Sequence, residues 1–150
     1  MGFFFLLRRS EYLKIGSTRH FYCLKRKNVF FSDSNGRPTT GVAATSVTIG
    51  LEGSKNDQYG RGAWRTMHKS EDPIICPVAA LKDILWAREE VADDSIFLCG
   101  ETTSADVATA PKATATSAGV SAANYSTHSI RIGAPQRFLQ VKPVGYRSSG

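Results

Sequence analysis

Residues 46–51 alternate strictly: Val47, Ile49 and Leu51 share one face, while Thr48 and Gly50 share the other. That is the period of a half-buried strand. A turn-rich stretch, 53–62, separates this run from residues 63–68, which predict a returning partner strand. A small antiparallel sheet is therefore expected, with Lys55 just past a strand end. Upstream, aromatic and β-branched residues over 21–31 surround Lys25-Arg26-Lys27, and Ser34-Asn35-Gly36-Arg37-Pro38 is a turn signal. Helical spacing is clearest at 77–91, where Pro77 suits a first helical position. Val78, Leu81 and Leu85, with Ile84 and Trp86, supply a core-facing stripe there. Residues 3–15 predict a second helix through the broad apolar face of Phe3, Phe4, Leu6, Leu7 and Leu13. Its upstream portion is expected to be missing, because the apolar face begins without a cap. Residues 95–99 form a short extended run. The Ala/Ser/Thr-rich stretch after it predicts a weaker helix over 105–118, ended by Gly119 and burdened by Pro111. The pattern predicts an α+β protein, mainly helical, with a small antiparallel β-sheet.

Composition narrows the class. An apolar share of 41% over 150 residues suits one soluble globular domain. A formal net charge of +6 favours polyanionic partners, nucleic acid first and an acidic membrane surface second. Cys23, Cys76 and Cys99 are an odd, widely spaced set with no CxxC and no zinc-ligand spacing. They support neither a metal nor a disulfide framework, and a reducing intracellular compartment is expected. The opening Met1-Gly2-Phe3-Phe4-Phe5-Leu6-Leu7 runs into Arg8-Arg9 rather than a small-residue cleavage site, which is unlike a secretory leader. No run approaches the roughly 20 apolar residues that span a bilayer.

Three strings carry candidate chemistry. They are Leu7-Arg8-Arg9-Ser10-Glu11-Tyr12-Leu13, Gly53-Ser54-Lys55-Asn56-Asp57-Gln58 and Thr127-His128-Ser129-Ile130-Arg131-Ile132-Gly133. Each alone is weak; together, in this order, the chain resembles the catalytic domain of tyrosine recombinases of the phage-integrase type. Those enzymes carry an arginine in an LRxSEL-like helix, a hairpin lysine and an HxxR box. Lys55-Asn56-Asp57-Gln58-Tyr59-Gly60-Arg61-Gly62 and Ile75-Cys76-Pro77-Val78-Ala79-Ala80-Leu81 are similar to the integrase-like proteins of cryptons and related eukaryotic mobile elements.

The resemblance implies an incomplete recombinase core over 1–140, with a frayed tail over 141–150. Its implied catalytic residues are Arg8, Lys55, His128 and Arg131. Two arginines suit a diester phosphate, because each guanidinium stays charged and forks across two oxygens. Lys55 would be the general acid toward the leaving 5′-oxygen, and His128 a hydrogen-bonding partner or proton shuttle. Arg9 is a rival to Arg8, which keeps the three-residue spacing to Glu11. Glu11 is expected to be structural, holding a buried arginine through an ion pair. His20 and His68 match no motif. Lys25, Arg26 and Lys27 are candidate DNA-phosphate contacts.

The sequence also departs from the family. The nucleophilic tyrosine is expected on a helix well beyond the HxxR box, yet only Tyr146 follows Arg131, in a Pro/Gly-containing tail. Neither His nor Trp follows Arg131, and Gly133-Ala134-Pro135 replaces Gly-Gly-Ala. The expectation is a fragment, truncated at both ends, that binds DNA without covalent cleavage. The alternatives are a non-catalytic basic DNA-binding module, using the hairpin and the 105–118 helix, or a non-functional gene remnant. The implied partner is DNA and, on DNA, further copies of the chain. A membrane, a metal and a small-molecule cofactor are not implied, since the family uses a protein nucleophile and cationic side chains. A nuclear location would follow from an origin in a eukaryotic element.

Overall fold

The computed structural model describes residues 1–53, 59, 61–91 and 94–126. Its centre is a three-stranded antiparallel sheet in the order β1-β2-β3, formed by β1 (Val29–Ser32), β2 (Ser46–Leu51) and β3 (Ala63–His68). The strand predicted from alternation and its expected returning partner run over the expected residues. Val47 and Ile49 are fully buried, as their shared face requires. The turn after β1 closes on Asp33, whose carboxylate accepts the backbone N–H groups of Asn35 (2.9 Å) and Arg37 (3.0 Å).

Helix α2 (Pro77–Glu90) starts as expected, with Pro77 in its first turn and the Cys76 sulfur accepting the Ala79 N–H. Val78 and Leu81 are buried, and Ile84 and Leu85 pack against the core. Trp86 does not join that stripe and is 63% exposed. At about 100° per residue it lies about 140° around the helix from Leu81 and about 100° from Leu85, off the buried stripe.

Helix α3 (Ser104–Ser117) begins at a capping box: the Thr103 hydroxyl accepts the Asp106 N–H, and the Asp106 carboxylate accepts the Thr103 N–H. Its far end is a Schellman closure. The Gly119 N–H donates to Thr116 O and the Val120 N–H to Ala115 O, with Gly119 at φ +74°. Pro111 sits inside the helix without ending it.

The predicted helix over 3–15 is corrected. Only α1 (Arg9–Tyr12) is helical there. Residues before it form a turn in which the Phe5 N–H donates to Met1 O, and Leu6 has φ +55°, incompatible with a continuing helix. Phe5 and Leu7 are buried while Leu6 between them is exposed, so the apolar run is read out by alternation. Phe5, Leu7, Tyr12 and Leu13 join Leu24, Val47, Ile49, Leu51, Val78, Leu81 and Leu98 in one core. The class is α+β, with α2 packed against a small antiparallel sheet. Among the described residues no helix is long and apolar enough to cross a membrane.

Candidate nucleic-acid interface

Arg8 stands immediately before α1 in extended backbone, φ −72° and ψ 151°. Glu11 fixes it there: its carboxylate accepts the Arg8 backbone N–H at 2.7 Å, and its own N–H donates to Arg8 O at 2.9 Å. Glu11 is buried, and its carbonyl accepts the Leu24 N–H, which ties the turn to the next segment. Among the described residues the Glu11 carboxylate pairs with no arginine side chain and serves as a cap, satisfying a helix-start donor. Arg8 is half-buried and Arg9 exposed. Among the described residues neither belongs to an ion pair.

Lys55, His128 and Arg131 lie outside the described residues. What is described is the base of the hairpin that bears Lys55. Leu51 pairs with Ala63, and Gly62 turns the chain at φ +69°, where an added Cβ would overlap the Leu51 carbonyl oxygen. Arg8 and this hairpin share one core, through Leu7 on one side and Val47, Ile49 and Leu51 on the other.

The basic segment is held against residues 96–98. The Arg26 N–H donates to Ile96 O (2.9 Å), the Leu98 N–H donates to Leu24 O (2.9 Å), and Lys25 bridges Phe97. Between the two segments lies an open groove of about 420 Å³ lined by Lys25, Arg26, Lys27, Asp94, Ser95 and Ile96. Its cations are not equivalent. Lys25 is largely buried and ion-paired to Glu52, and Lys27 is 73% exposed with its ammonium 3.8 Å from the same carboxylate. Asn28 also donates to Glu52, at 3.1 Å. The hydrogen bond from Lys25, then that from Asn28, holds the Glu52 carboxyl below its ordinary pKa.

Compared with family models, with curated proteins and with solved structures, the chain matches none. Its function therefore has to be argued from the site. Among the described residues no three His, Cys, Asp or Glu side chains gather as a metal site. The three cysteines are unpaired thiols. Burial pushes Cys99 up to about 11. Glu52 escaped the sequence reading because its role depends on β1–β2 register, which brings residues 25–28 beside the end of β2.

Proposed function

We propose that these 150 residues are the DNA-binding part of a tyrosine-recombinase-type catalytic core, and that they bind duplex DNA without cutting it. The observation that carries the reading is the joint placement of two motif-bearing elements. The α1 turn presents Arg8 from a capped, half-buried position, and the β2–β3 hairpin, whose loop bears Lys55, rests on the same core. The HxxR box supplies His128 and Arg131 as the remaining phosphate partners. The net charge of +6 and the Lys25–Arg26–Lys27 groove support a polyanionic partner. Covalent cleavage by these 150 residues is not proposed, because Tyr146, the tyrosine after Arg131 within them, closely follows Pro143 and Gly145.

A second reading is favoured by the groove itself, which gathers cations without Arg8: a basic DNA-binding module with no clamp. Duplex-binding titrations separate the two. Under the clamp reading, Arg8→Ala or Arg131→Ala weakens binding much more than Lys27→Ala does. Comparable losses at all three positions would favour the module. A nicked duplex that traps covalent protein–DNA adducts should yield none.

A further inference from the structure

The second face of the sheet is open. Phe30 on β1, Thr48 and Gly50 on β2, and Trp64, Thr66 and His68 on β3 share the register opposite to the buried Val47–Ile49 side. Phe30 is 45% and Trp64 68% exposed, an unusual outlay of aromatic surface for two strand residues. Their ring centroids lie 5.6 Å apart. Gly50 is the register partner of Trp64, and a Cβ on it would come within 2.7 Å of the indole six-membered ring. The missing side chain is what leaves room for the indole beside Gly50, where Trp64 stays largely exposed. The Thr48 and Thr66 hydroxyls, 2.7 Å apart, satisfy each other between the rings.

Charge selects the occupant. The outward strand positions named above carry no carboxylate. At the Gly50 end of the sheet, Glu52 is matched by Lys25 and Lys27, and the Lys27 ammonium is largely in solvent. An exposed aromatic pair, its rings tilted 48° to one another, on a face without carboxylates in a chain of net charge +6, fits bases joined by phosphates better than an apolar protein face. We infer that this face is a stacking platform for unpaired nucleobases, with Trp64 and Phe30 taking adjacent bases of a single-stranded segment and Lys27 meeting its phosphates. The inference rests on the proposed nucleic-acid binding, and adds strand separation or a single-stranded flank to what the chain would engage.

The test uses the whole chain in a Trp86→Phe background, so that Trp64 is the sole indole. Labelled oligothymidylate and a duplex of the same length are titrated separately. Oligothymidylate should quench Trp64 fluorescence. Trp64→Ala should lose about 5- to 150-fold in affinity for it, as base–aromatic stacking predicts. Trp64→Phe should retain most of the binding, and duplex affinity should change little. Thermal melts of both variants separate a lost contact from a lost fold. Absence of quenching at saturation, or unchanged affinity in Trp64→Ala, overturns the platform. So does sedimentation showing that the face instead joins copies of the chain. If duplex binding persists while the platform test fails, only this inference falls; if neither nucleic acid binds, the proposed function falls with it.

Discussion

Replacing Glu52 by Gln should strengthen DNA binding while weakening the fold. The carboxylate engages Lys25 and Asn28 and lies 3.8 Å from the Lys27 ammonium. The amide keeps the volume and removes the negative charge, so the local charge of Lys25, Arg26, Lys27 and Glu52 together rises by one unit. One further phosphate contact adds about 0.9 to the salt slope on duplex DNA. Between about 50 and about 200 mM salt, the affinity of Glu52→Gln should therefore fall about 3.5-fold more than that of the unaltered chain. The cost to stability is small, because the Glu52 side chain is 36% exposed. Solvent-screened pairs of this kind contribute no more than about 1 kcal/mol.

Acid sharpens the test. The folded carboxyl is held below its ordinary value of 4.5, so its stabilising contribution is complete above the unfolded pKa and is lost as pH falls through the lower folded one. Glu52→Gln should lose that part of the acid limb, while Glu101 and Asp106, also lowered, keep theirs. Fluorescence anisotropy on a labelled duplex across salt, with thermal melts at neutral and acid pH, measures both halves. Weaker binding, or an unchanged salt slope, would refute the reasoning.

Leu81→Ala should cost about 2–5 kcal/mol in a urea titration, since Leu81 is fully buried between α2 and the sheet core. Gly62→Ala and Gly16→Ala both place a side chain at positive φ, a penalty of about 1–2 kcal/mol each. Only the former meets an obstacle, the Leu51 carbonyl, so Gly62→Ala should be clearly the more destabilising; equal losses would remove the close approach. With Cys99 pushed up to about 11, its alkylation by iodoacetamide at pH 8 should be on the order of 100-fold slower in the folded chain than in urea, read by peptide mass spectrometry.

The sheet was legible because Val47, Ile49 and Leu51 keep one period over a strand flanked by turn residues, and α2 because Pro77 and the 78–81–85 spacing agree. The opening residues were not legible as a turn, for a physical reason. A run with apolar residues at nearly every position satisfies helical and alternating templates equally, and the Leu6 backbone decides between them. The three-residue spacing from Arg8 to Glu11 corresponds to the contact that caps α1, made through the Arg8 backbone rather than its guanidinium. The role of Glu52 and the exposed aromatic pair were not legible. Each depends on which residues of separate strands stand opposite one another, which alternation within one strand does not reveal.

We propose that Arg8 and Arg131 grip one DNA phosphate together. A double-mutant cycle on duplex affinity tests it, comparing the unaltered chain with Arg8→Ala, Arg131→Ala and the double variant at one salt concentration. Partners on a shared phosphate should couple by about 0.5–3 kcal/mol, so the double variant loses less than the two single losses combined. Losses that add to within about 0.3–0.5 kcal/mol would mean that the two arginines act at separate places, and would contradict the recombinase-type site.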